Sequence, residues 1–255
     1  MKVITLSNQK GGCGKTTTAQ TLAIGLVNRG YKVLAIDADP QCNLSSVFGL
    51  MSQKKTKGTL LDVMKQDLSI KSCAFPVRIG LDVLASNPDL NKADKEFAEI
   101  GDSVILNDAL EEVTDYDFVV VDTPPNMGAL TTNALMASDF CIVPMTPDYF
   151  SIQGLQQLNR QVQIVKRFGS SVEVLGILLT RCDRTNLSNI ITNDIKKAAE
   201  TLGTTVFNSC ISQAVAIRES QLIQSDIYAS SPKSKVVQEY DLFIDECIQR
   251  IKEGN

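Results

Sequence analysis

KGGCGKTT at residues 10–17 is the stretch that decides the fold of this 255-residue chain. It lies between an apolar, β-branched run at residues 3–6 and a helical pattern of apolar residues from residue 17 onward. Glycines let successive backbone N–H groups face phosphate oxygens, the following lysine reaches the β- and γ-phosphates, and the hydroxyl holds Mg²⁺. The start of the helix adds partial positive charge. The stretch therefore predicts a phosphate-binding loop between a strand and a helix.

The loop departs from the ordinary pattern G-x-x-x-x-G-K-[ST] in two ways. The residue five places before Gly14 is Gln9 instead of glycine, and Lys10 adds a second lysine at the mouth of the loop. The alternative is a glycine-rich turn with an incidental lysine. Two lysines, three glycines and two threonines would then have to coincide in one loop, so we favour the phosphate-binding interpretation.

Composition excludes several classes of protein. Hydrophobic residues make up 44% of the chain and charged residues 21%, which is ordinary for a globular protein. The net charge of −4 means that any DNA binding must use a local patch. No apolar run approaches the roughly 18 residues that span a bilayer. The absence of histidine excludes His-based triads and most catalytic zinc sites, and seven scattered cysteines predict reduced thiols in a cytosolic protein.

Strand and helix patterns alternate along the chain. Strands are predicted at residues 3–8, 32–37, 81–84, 118–121, 140–143, 172–179 and 205–207. Helices are predicted at residues 15–28, 104–113, 152–168, 189–202 and 233–251, with short helices within 45–79. Continuous apolar strands separated by helices predict an α/β fold: a doubly wound, mostly parallel sheet with helices on both faces. We expect a single domain over residues 1–255, without an N-terminal helix-turn-helix, because strand one begins at once.

Aspartates follow two of the predicted strands. Asp122 comes directly after FVVV, and Asp37 and Asp39 end or follow KVLAID. Ligands of parallel α/β sheets bind at the carboxyl ends of the strands. Asp122 is thus placed to hold Mg²⁺ through water, and Asp39 to orient an attacking water. The alternative for Asp37 and Asp39 is an Asx turn before Pro40.

Three motifs together resemble those of a known family. KGGCGKTT, DADPQCNLS at residues 37–45 and VVVDTPPN at residues 119–126 are similar to the deviant Walker A, switch I and Walker B/switch II motifs of ParA/Soj-type partition ATPases. That group of P-loop ATPases includes MinD and the nitrogenase iron protein, and the resemblance extends over nearly the whole chain. It implies an ATPase that uses ATP/ADP and Mg²⁺ and forms a nucleotide-sandwich homodimer.

The resemblance also implies roles for the loop residues. Lys10 would cross the dimer to the partner's phosphates, as an arginine finger does in other NTPases, although it could instead be a solvated surface lysine. Lys15 would bind the β- and γ-phosphates in its own subunit. The implied catalytic residues are Lys10, Lys15 and Asp39; the implied phosphate contacts are Lys10, Gly11, Gly12, Cys13, Gly14, Lys15, Thr16 and Thr17; and the implied metal ligands are Thr16, Asp39 and Asp122.

The base-binding region departs from the family. Many relatives have isoleucine-proline-arginine where this chain has Ile211, Ser212 and Gln213. Ile211 and Ser212 are therefore expected near the base by position only. Thr180 and Arg181, at the end of the strand predicted at residues 172–179, are the other base-side candidates.

The family binds nonspecific double-stranded DNA as an ATP dimer and is stimulated by a ParB-like adaptor. By resemblance Arg218 is the best candidate for a DNA contact, followed by Lys233 and Lys235. Lys196 and Lys197 are weaker candidates, since such pairs usually lie on a solvated helix face. A cytoplasmic protein that associates with the nucleoid in its ATP state would follow.

Three other functions remain open. A MinD-like membrane-cycling ATPase needs a basic amphipathic C-terminal helix. Here the polar face is largely acidic, so no membrane partner is expected. We instead predict that the apolar stripe packs on the domain; the stripe comprises Leu242, Ile244, Ile248 and Ile251. An ATPase that positions another cargo cannot be separated by sequence. A small-molecule, carboxylate-activating synthetase of the same fold fits the DPQ and DTPP segments less well.

Overall fold

The strands and helices alternate as the sequence predicts. The computed structural model describes residues 1–51, 56–148, 151–183 and 186–254. Its strands are β1 Lys2–Leu6, β2 Val33–Asp37, β3 Phe75–Arg78, β4 Leu81–Leu84, β5 Phe118–Asp122, β6 Phe140–Met145, β7 Glu173–Cys182 and β8 Val206–Ser212. Its α-helices are α1 Lys15–Asn28, α2 Asn43–Val47, α3 Leu60–Met64, α4 Ile70–Cys73, α5 Ala93–Glu96, α6 Ile105–Glu111, α7 Ala129–Met136, α8 Ser151–Arg167, α9 Asn186–Thr201, α10 Val215–Leu222, α11 Ile227–Ser230 and α12 Lys235–Glu253. Short 3₁₀ turns cover Pro88–Lys92 and Ile100–Val104.

In the described part of the chain the strands form one sheet in the order β3-β4-β2-β5-β1-β6-β7-β8. Every neighbouring pair is parallel except β3 and β4. The central strands β1, β2 and β5 are apolar and buried along almost their full length, which is typical of strands covered on both faces. The predicted fold class, a doubly wound α/β sheet, is confirmed.

Helices cover both faces of the sheet. On one face α1 and α12 pack against the sheet, and Leu22, Tyr240 and Phe243 belong to the same buried cluster. On the other face α3, α6 and α7 cover β2, β4 and β5, whereas α8 and α9 cover β6 and β7. Because α1 lies under β1 with its N-terminus at the sheet's carboxyl edge, the loop at residues 10–17 opens at that edge.

One strand was predicted as something else. β3 falls within residues 45–79, for which the sequence predicts short helices; residues 52–55 of that segment lie outside the described part. β3 is an edge strand of four residues, antiparallel to β4, with alternating half-buried and exposed positions. So short an alternation, interrupted by Pro76, gives little periodic signal, and proline is tolerated there because the strand is at the edge. The helices α5, α7, α10 and α11 are also absent from the prediction.

Two expectations about side chains were wrong. Leu242 does not pack on the domain: it is 64% exposed, whereas Ile244 and Ile251 of the same predicted stripe are buried. Two residues along a helix differ in direction by about 200°, so Leu242 and Ile244 point to opposite sides. The second error concerns the thiols. Cys182 and Cys210 form a disulfide because parallel pairing brings the ends of β7 and β8 together, which a separation of 28 residues does not reveal. The other five cysteines are free and buried.

Candidate nucleotide-binding site

A cavity of about 520 Å³ opens at the carboxyl edge of the sheet, in front of the N-terminus of α1. Its volume is within the range of small-molecule sites. The walls are formed by Gly11, Gly12, Gly14, Lys15, Thr16, Thr17, Asp39, Gln41, Asn43, Ser46, Val47, Pro125, Arg181 and Gln221. The structure therefore brings most of the predicted phosphate-binding residues together in one cavity. Asp39, which follows the second strand, lies in the same cavity.

The loop backbone takes a shape that only glycine adopts readily. Gly12 and Gly14 have φ angles of 71° and 89°, in the left-handed region. Gly14 is the N-cap residue of α1, so the free N–H groups of the first helical turn follow it directly. These N–H groups and the positive end of the helix dipole make the mouth of the cavity an anion-binding surface.

Lys15 is held inside the loop. Lys15 is only 7% exposed, and its ammonium donates hydrogen bonds to the backbone carbonyls of Asn8 at 2.9 Å and Lys10 at 3.2 Å. Cys13, in contrast, turns its side chain into the core, where burial raises the pKa of its thiol. The carbonyl of Cys13 accepts a hydrogen bond from the Thr180 hydroxyl at 2.8 Å. Any contact of Cys13 with a phosphate must therefore come from its backbone N–H.

Asp37 and Asp122 lie side by side at the ends of β2 and β5, where they are partners in the strand register. One carboxylate oxygen of Asp37 accepts from the backbone N–H and the hydroxyl of Ser45, both at 2.7 Å, and the other accepts from the Asp39 N–H at 3.1 Å. Burial raises the pKa of Asp37 to about 6 even though these hydrogen bonds favour the charged form. Asp37 is thus a structural anchor for the turn that carries Asp39.

Asp122 is fully buried, and among the described residues neither of its carboxylate oxygens has a hydrogen-bond partner. Burial raises its pKa well above the ordinary range, and the charge of Asp37 adds to that shift. The Thr16 hydroxyl and the Lys15 ammonium oppose the shift, although Thr16 lies outside normal hydrogen-bond geometry. A buried carboxylate without a partner is the type of group that binds a cation or a water held by one.

Asp39 faces the cavity from the second strand. It is 6% exposed, and one carboxylate oxygen accepts from the Gln41 N–H at 2.9 Å. Thr16, Asp39 and Asp122 supply hard oxygen ligands, which is the donor set that Mg²⁺ prefers. Over the described ranges no group of three or more acidic, cysteine or histidine side chains forms a complete metal cage. Because the donors present are a hydroxyl and two carboxylates, they fit a Mg²⁺ ion, to which water and phosphate oxygens can supply the other ligands.

The side chain of Lys10 has different partners from that of Lys15. Its ammonium forms an ion pair with Asp148 and donates to the Thr146 hydroxyl at 3.1 Å, both just beyond β6. Partial burial acts to raise the pKa of Asp148, but hydrogen bonds from Lys10 and Thr146 outweigh it, so that the pKa falls below its usual value. The lysine predicted to act across a dimer is therefore paired within its own chain. No local sequence pattern indicates this pairing, because Asp148 is 138 residues away.

A second cavity of about 190 Å³ adjoins the first. It shares Gly14, Thr17, Arg181 and Gln221 with the larger cavity. Its other walls are Thr180, Ile211, Ser212, Gln213, Ala214, Ile217, Arg218 and Tyr240. All four residues predicted on the base side thus meet in one place, beside the loop. Arg218, predicted as a DNA contact, lies on the rim of this cavity.

The other predicted DNA contacts are on two helices. Lys233 and Lys235 are exposed around the start of α12, and Lys235 forms an ion pair with Glu239 at 2.5 Å. Lys196 and Lys197 are exposed on α9, where Lys197 lies 3.9 Å from Asp194. None of these four lysines lines the second cavity, where Arg218 lies.

Several wall residues were missed by the sequence interpretation. Gln41 and Asn43 follow Asp39 within the motif DADPQCNLS, so the motif itself was a usable signal. Gln221 had no such signal. It reaches the loop from α10, more than 200 residues away, and its amide donates to the Thr17 hydroxyl at 3.0 Å.

Comparison with known proteins agrees with this geometry. A family model described as an AAA domain matches residues 1–174. The chain is 34% identical to the chromosome partitioning protein ParA of Caulobacter vibrioides over 98% of its length and 95% of the relative's. It is 33% identical to the sporulation initiation inhibitor protein Soj of Bacillus subtilis, over 94% and 95%.

A solved structure with 28% identity, cobyrinic acid a,c-diamide synthase from Mycobacterium smegmatis with bound ADP and magnesium, superposes with a TM-score of 0.85. The match covers 100% of this chain and 97% of that one. The loop, the acid pair at the sheet edge and the identity to two partitioning proteins over nearly the full length lead to one conclusion: the chain belongs to the ParA/Soj family of partition ATPases.

Proposed function

We propose that this chain partitions DNA: Mg-ATP closes a homodimer that binds nonspecific double-stranded DNA, and hydrolysis stimulated by a ParB-like adaptor releases it. The observation that carries the proposal is the joint presence, around one cavity, of a buried Lys15, a hydroxyl at Thr16 and the carboxylate of Asp39. The identity of 33–34% to two partitioning proteins, over nearly the full length of the chain, supports DNA as the cargo. The protein would be cytoplasmic and nucleoid-associated in its ATP state.

Each residue has a role in this cycle. Lys15 and the N–H groups after Gly14 would bind the β- and γ-phosphates, and Asp39 would orient the attacking water. Thr16, Asp39 and Asp122 would hold a Mg²⁺ ion, which would supply positive charge next to the phosphates. Lys10 would leave Asp148 and reach the partner's nucleotide, so that the closed dimer and the completed site form together. Intrinsic turnover would be slow until the adaptor completes the geometry.

The membrane-cycling alternative is less well supported. Among the described residues no helix combines the length and apolar character needed to cross a bilayer. A peripheral anchor would need a free amphipathic helix, but α12 uses its apolar side inside the domain, where Tyr240, Phe243 and Ile244 are buried. Positioning of a cargo other than DNA uses the same chemistry and stays open as the second candidate.

The test is binding to a random-sequence duplex at low and moderate salt, with ATP, ADP or no nucleotide. We expect binding only with Mg-ATP and a steep loss of affinity as salt rises, because phosphate neutralisation releases counterions. Two variants sharpen the experiment. Asp39→Ala should bind ATP and remain on DNA, whereas Lys10→Ala should bind ATP without dimerising and stay off DNA.

The outcomes separate the candidates. Equal DNA binding with ATP, with ADP and without nucleotide would argue against the proposed cycle of ATP-dependent DNA binding and release. Binding of ATP without DNA in any state would move the assignment to another cargo or to a small-molecule synthetase, such as the structurally similar synthase from Mycobacterium smegmatis. An unchanged ATP-dependent dimer in Lys10→Ala would remove the proposed role of Lys10.

A further inference from the structure

The end of β8 forms one wall of the second cavity. Ile211, Ser212, Gln213 and Ala214 contribute to it in succession as the strand turns towards α10. No proline restrains this turn. Its conformation therefore depends on hydrogen bonds from neighbouring elements, and α12 is the helix that packs most extensively along β8.

Glu239 of α12 supplies these hydrogen bonds. One carboxylate oxygen accepts from the Ser212 backbone N–H at 2.8 Å, and the other accepts from the Ser212 hydroxyl at 2.6 Å. Lys235, one helical turn earlier, donates to Glu239 at 2.5 Å and to the Ser212 hydroxyl at 3.0 Å. The side chain of Glu239 is only 14% exposed. Both bonds to Ser212 are charge-assisted, which makes them stronger than neutral ones.

We propose that Glu239 is a positioning residue for nucleotide binding: by fixing Ser212 it holds the wall of the second cavity in the shape that receives the base. This inference rests on the proposed function only in taking the two adjoining cavities as a nucleotide site. It assigns no contact between Glu239 and the nucleotide, because the carboxylate acts through Ser212.

Glu246 provides a matched control on the same helix. Its carboxylate accepts from the backbone N–H of Asn208 at 3.0 Å and of Ser209 at 3.3 Å, and it pairs with Arg250 at 2.7 Å. Its side chain is 14% exposed, the same as that of Glu239. Glu246 thus joins α12 to β8 with the same chemistry, but two helical turns further along and away from the walls of the cavity.

The experiment compares Glu239→Ala, Glu239→Gln and Glu246→Ala by thermal unfolding and by displacement of a fluorescent ATP analogue with ATP or with inorganic triphosphate. Both alanine variants should unfold at a lower temperature. Only Glu239→Ala should weaken ATP binding, by about 10-fold, because the wall that receives the base loses both bonds that hold Ser212. Its affinity for triphosphate should stay within about twofold, because the phosphate loop is untouched. Glu239→Gln, which keeps an acceptor for the Ser212 N–H, should recover part of the loss.

Equal weakening of ATP and triphosphate, or equal effects of Glu239→Ala and Glu246→Ala, would overturn the proposal, because Glu239 would then only stabilise the fold. If Glu239→Ala does not fold, Ser212→Ala removes one of the two bonds and should weaken ATP without weakening triphosphate. The readout requires no DNA. Failure of DNA binding would therefore count against the partition function and leave this inference unaffected.

Discussion

At the scale of single residues, the two lysines of the loop have opposite surroundings. Lys15 donates to backbone carbonyls, which are neutral, so its positive charge remains available to a phosphate. Lys10 is paired with the carboxylate of Asp148, which neutralises it. The loop of the free chain therefore presents one available ammonium for binding nucleotide and keeps a second in reserve.

Replacing Lys15 by alanine should weaken ATP by about 100-fold or more, because charge-assisted hydrogen bonds to two phosphates are lost. Isothermal titration calorimetry with Mg-ATP measures this directly. Thermal unfolding of the same variant checks that the loop, where Lys15 also holds two carbonyls, has not collapsed. Tight ATP binding by a folded variant would contradict the assignment of the phosphate site.

Replacing Asp148 by asparagine should release Lys10 and shift the ATP-dependent equilibrium towards the dimer by several-fold, because the closed state no longer has to break an ion pair. Light scattering coupled to gel filtration, with Mg-ATP, measures the shift. Because the pKa of Asp148 is lowered, its carboxylate is charged at both pH 6 and pH 8. The gain in dimerisation should therefore be equal at these two pH values. Weaker dimerisation would mean that Asp148 positions Lys10 in the dimer as well.

At the scale of elements, α10 and the start of α12 carry cations that differ in how available they are to a DNA phosphate. Arg218 is exposed on the cavity rim, whereas Lys235 is engaged by Glu239 and Ser212. A lysine that is already paired has to give up that pair to contact a DNA phosphate. The predicted DNA contacts are therefore not equivalent.

Arg218→Ala should weaken duplex binding uniformly across sequences and reduce the slope of log K against log salt by about 1, whereas Lys235→Ala should have the smaller effect. Fluorescence anisotropy at several salt concentrations gives both quantities. Since Arg218 also borders the second cavity, the ATP affinity of the variant is measured beside it. A larger loss from Lys235→Ala would reverse this ranking.

At the scale of the whole molecule, the sheet places two carboxylates, Asp37 and Asp122, next to each other in its buried centre. Burial raises the pKa of both. The folded protein therefore takes up protons at a higher pH than the unfolded chain, whose carboxyls titrate near 3.8. It follows that these groups make the free energy of unfolding fall as pH rises from 3.8 through the raised pKa values. Function is thus obtained at the expense of stability in the nucleotide-free protein.

Asp122→Asn should raise the melting temperature of the nucleotide-free protein at pH 8, by about 2–4 °C for each kcal/mol of buried-charge penalty removed. The gain should shrink as pH is lowered, because wild-type Asp122 is then protonated. Scanning calorimetry at pH 8 and pH 6 measures both effects, and Mg-dependent turnover should be lost in the variant. A lower melting temperature at pH 8 would show that the buried oxygens of Asp122 have a partner, such as a bound water.

How much the sequence predicts depends on the range of the interactions. Helix α1 was predicted over the same residues that the structure shows, because its start after Gly14 and its apolar pattern are local. Strands β2, β4 and β5 are continuous apolar runs and were found nearly to the residue. The edge strand β3 was missed, because only its pairing with β4 makes it a strand.

The sequence by itself determined the phosphate loop, the aspartates at the strand ends and the parallel α/β class, since these depend on residues close together in the chain and on hydrophobic periodicity. Only the tertiary structure decided the partners of those residues. Asp148 meets Lys10, Gln221 meets Thr17 and Glu239 meets Ser212, although 27 to 204 residues separate each pair. Such contacts arise because parallel strands return to one edge through intervening helices, and no local pattern encodes which side chains then face each other.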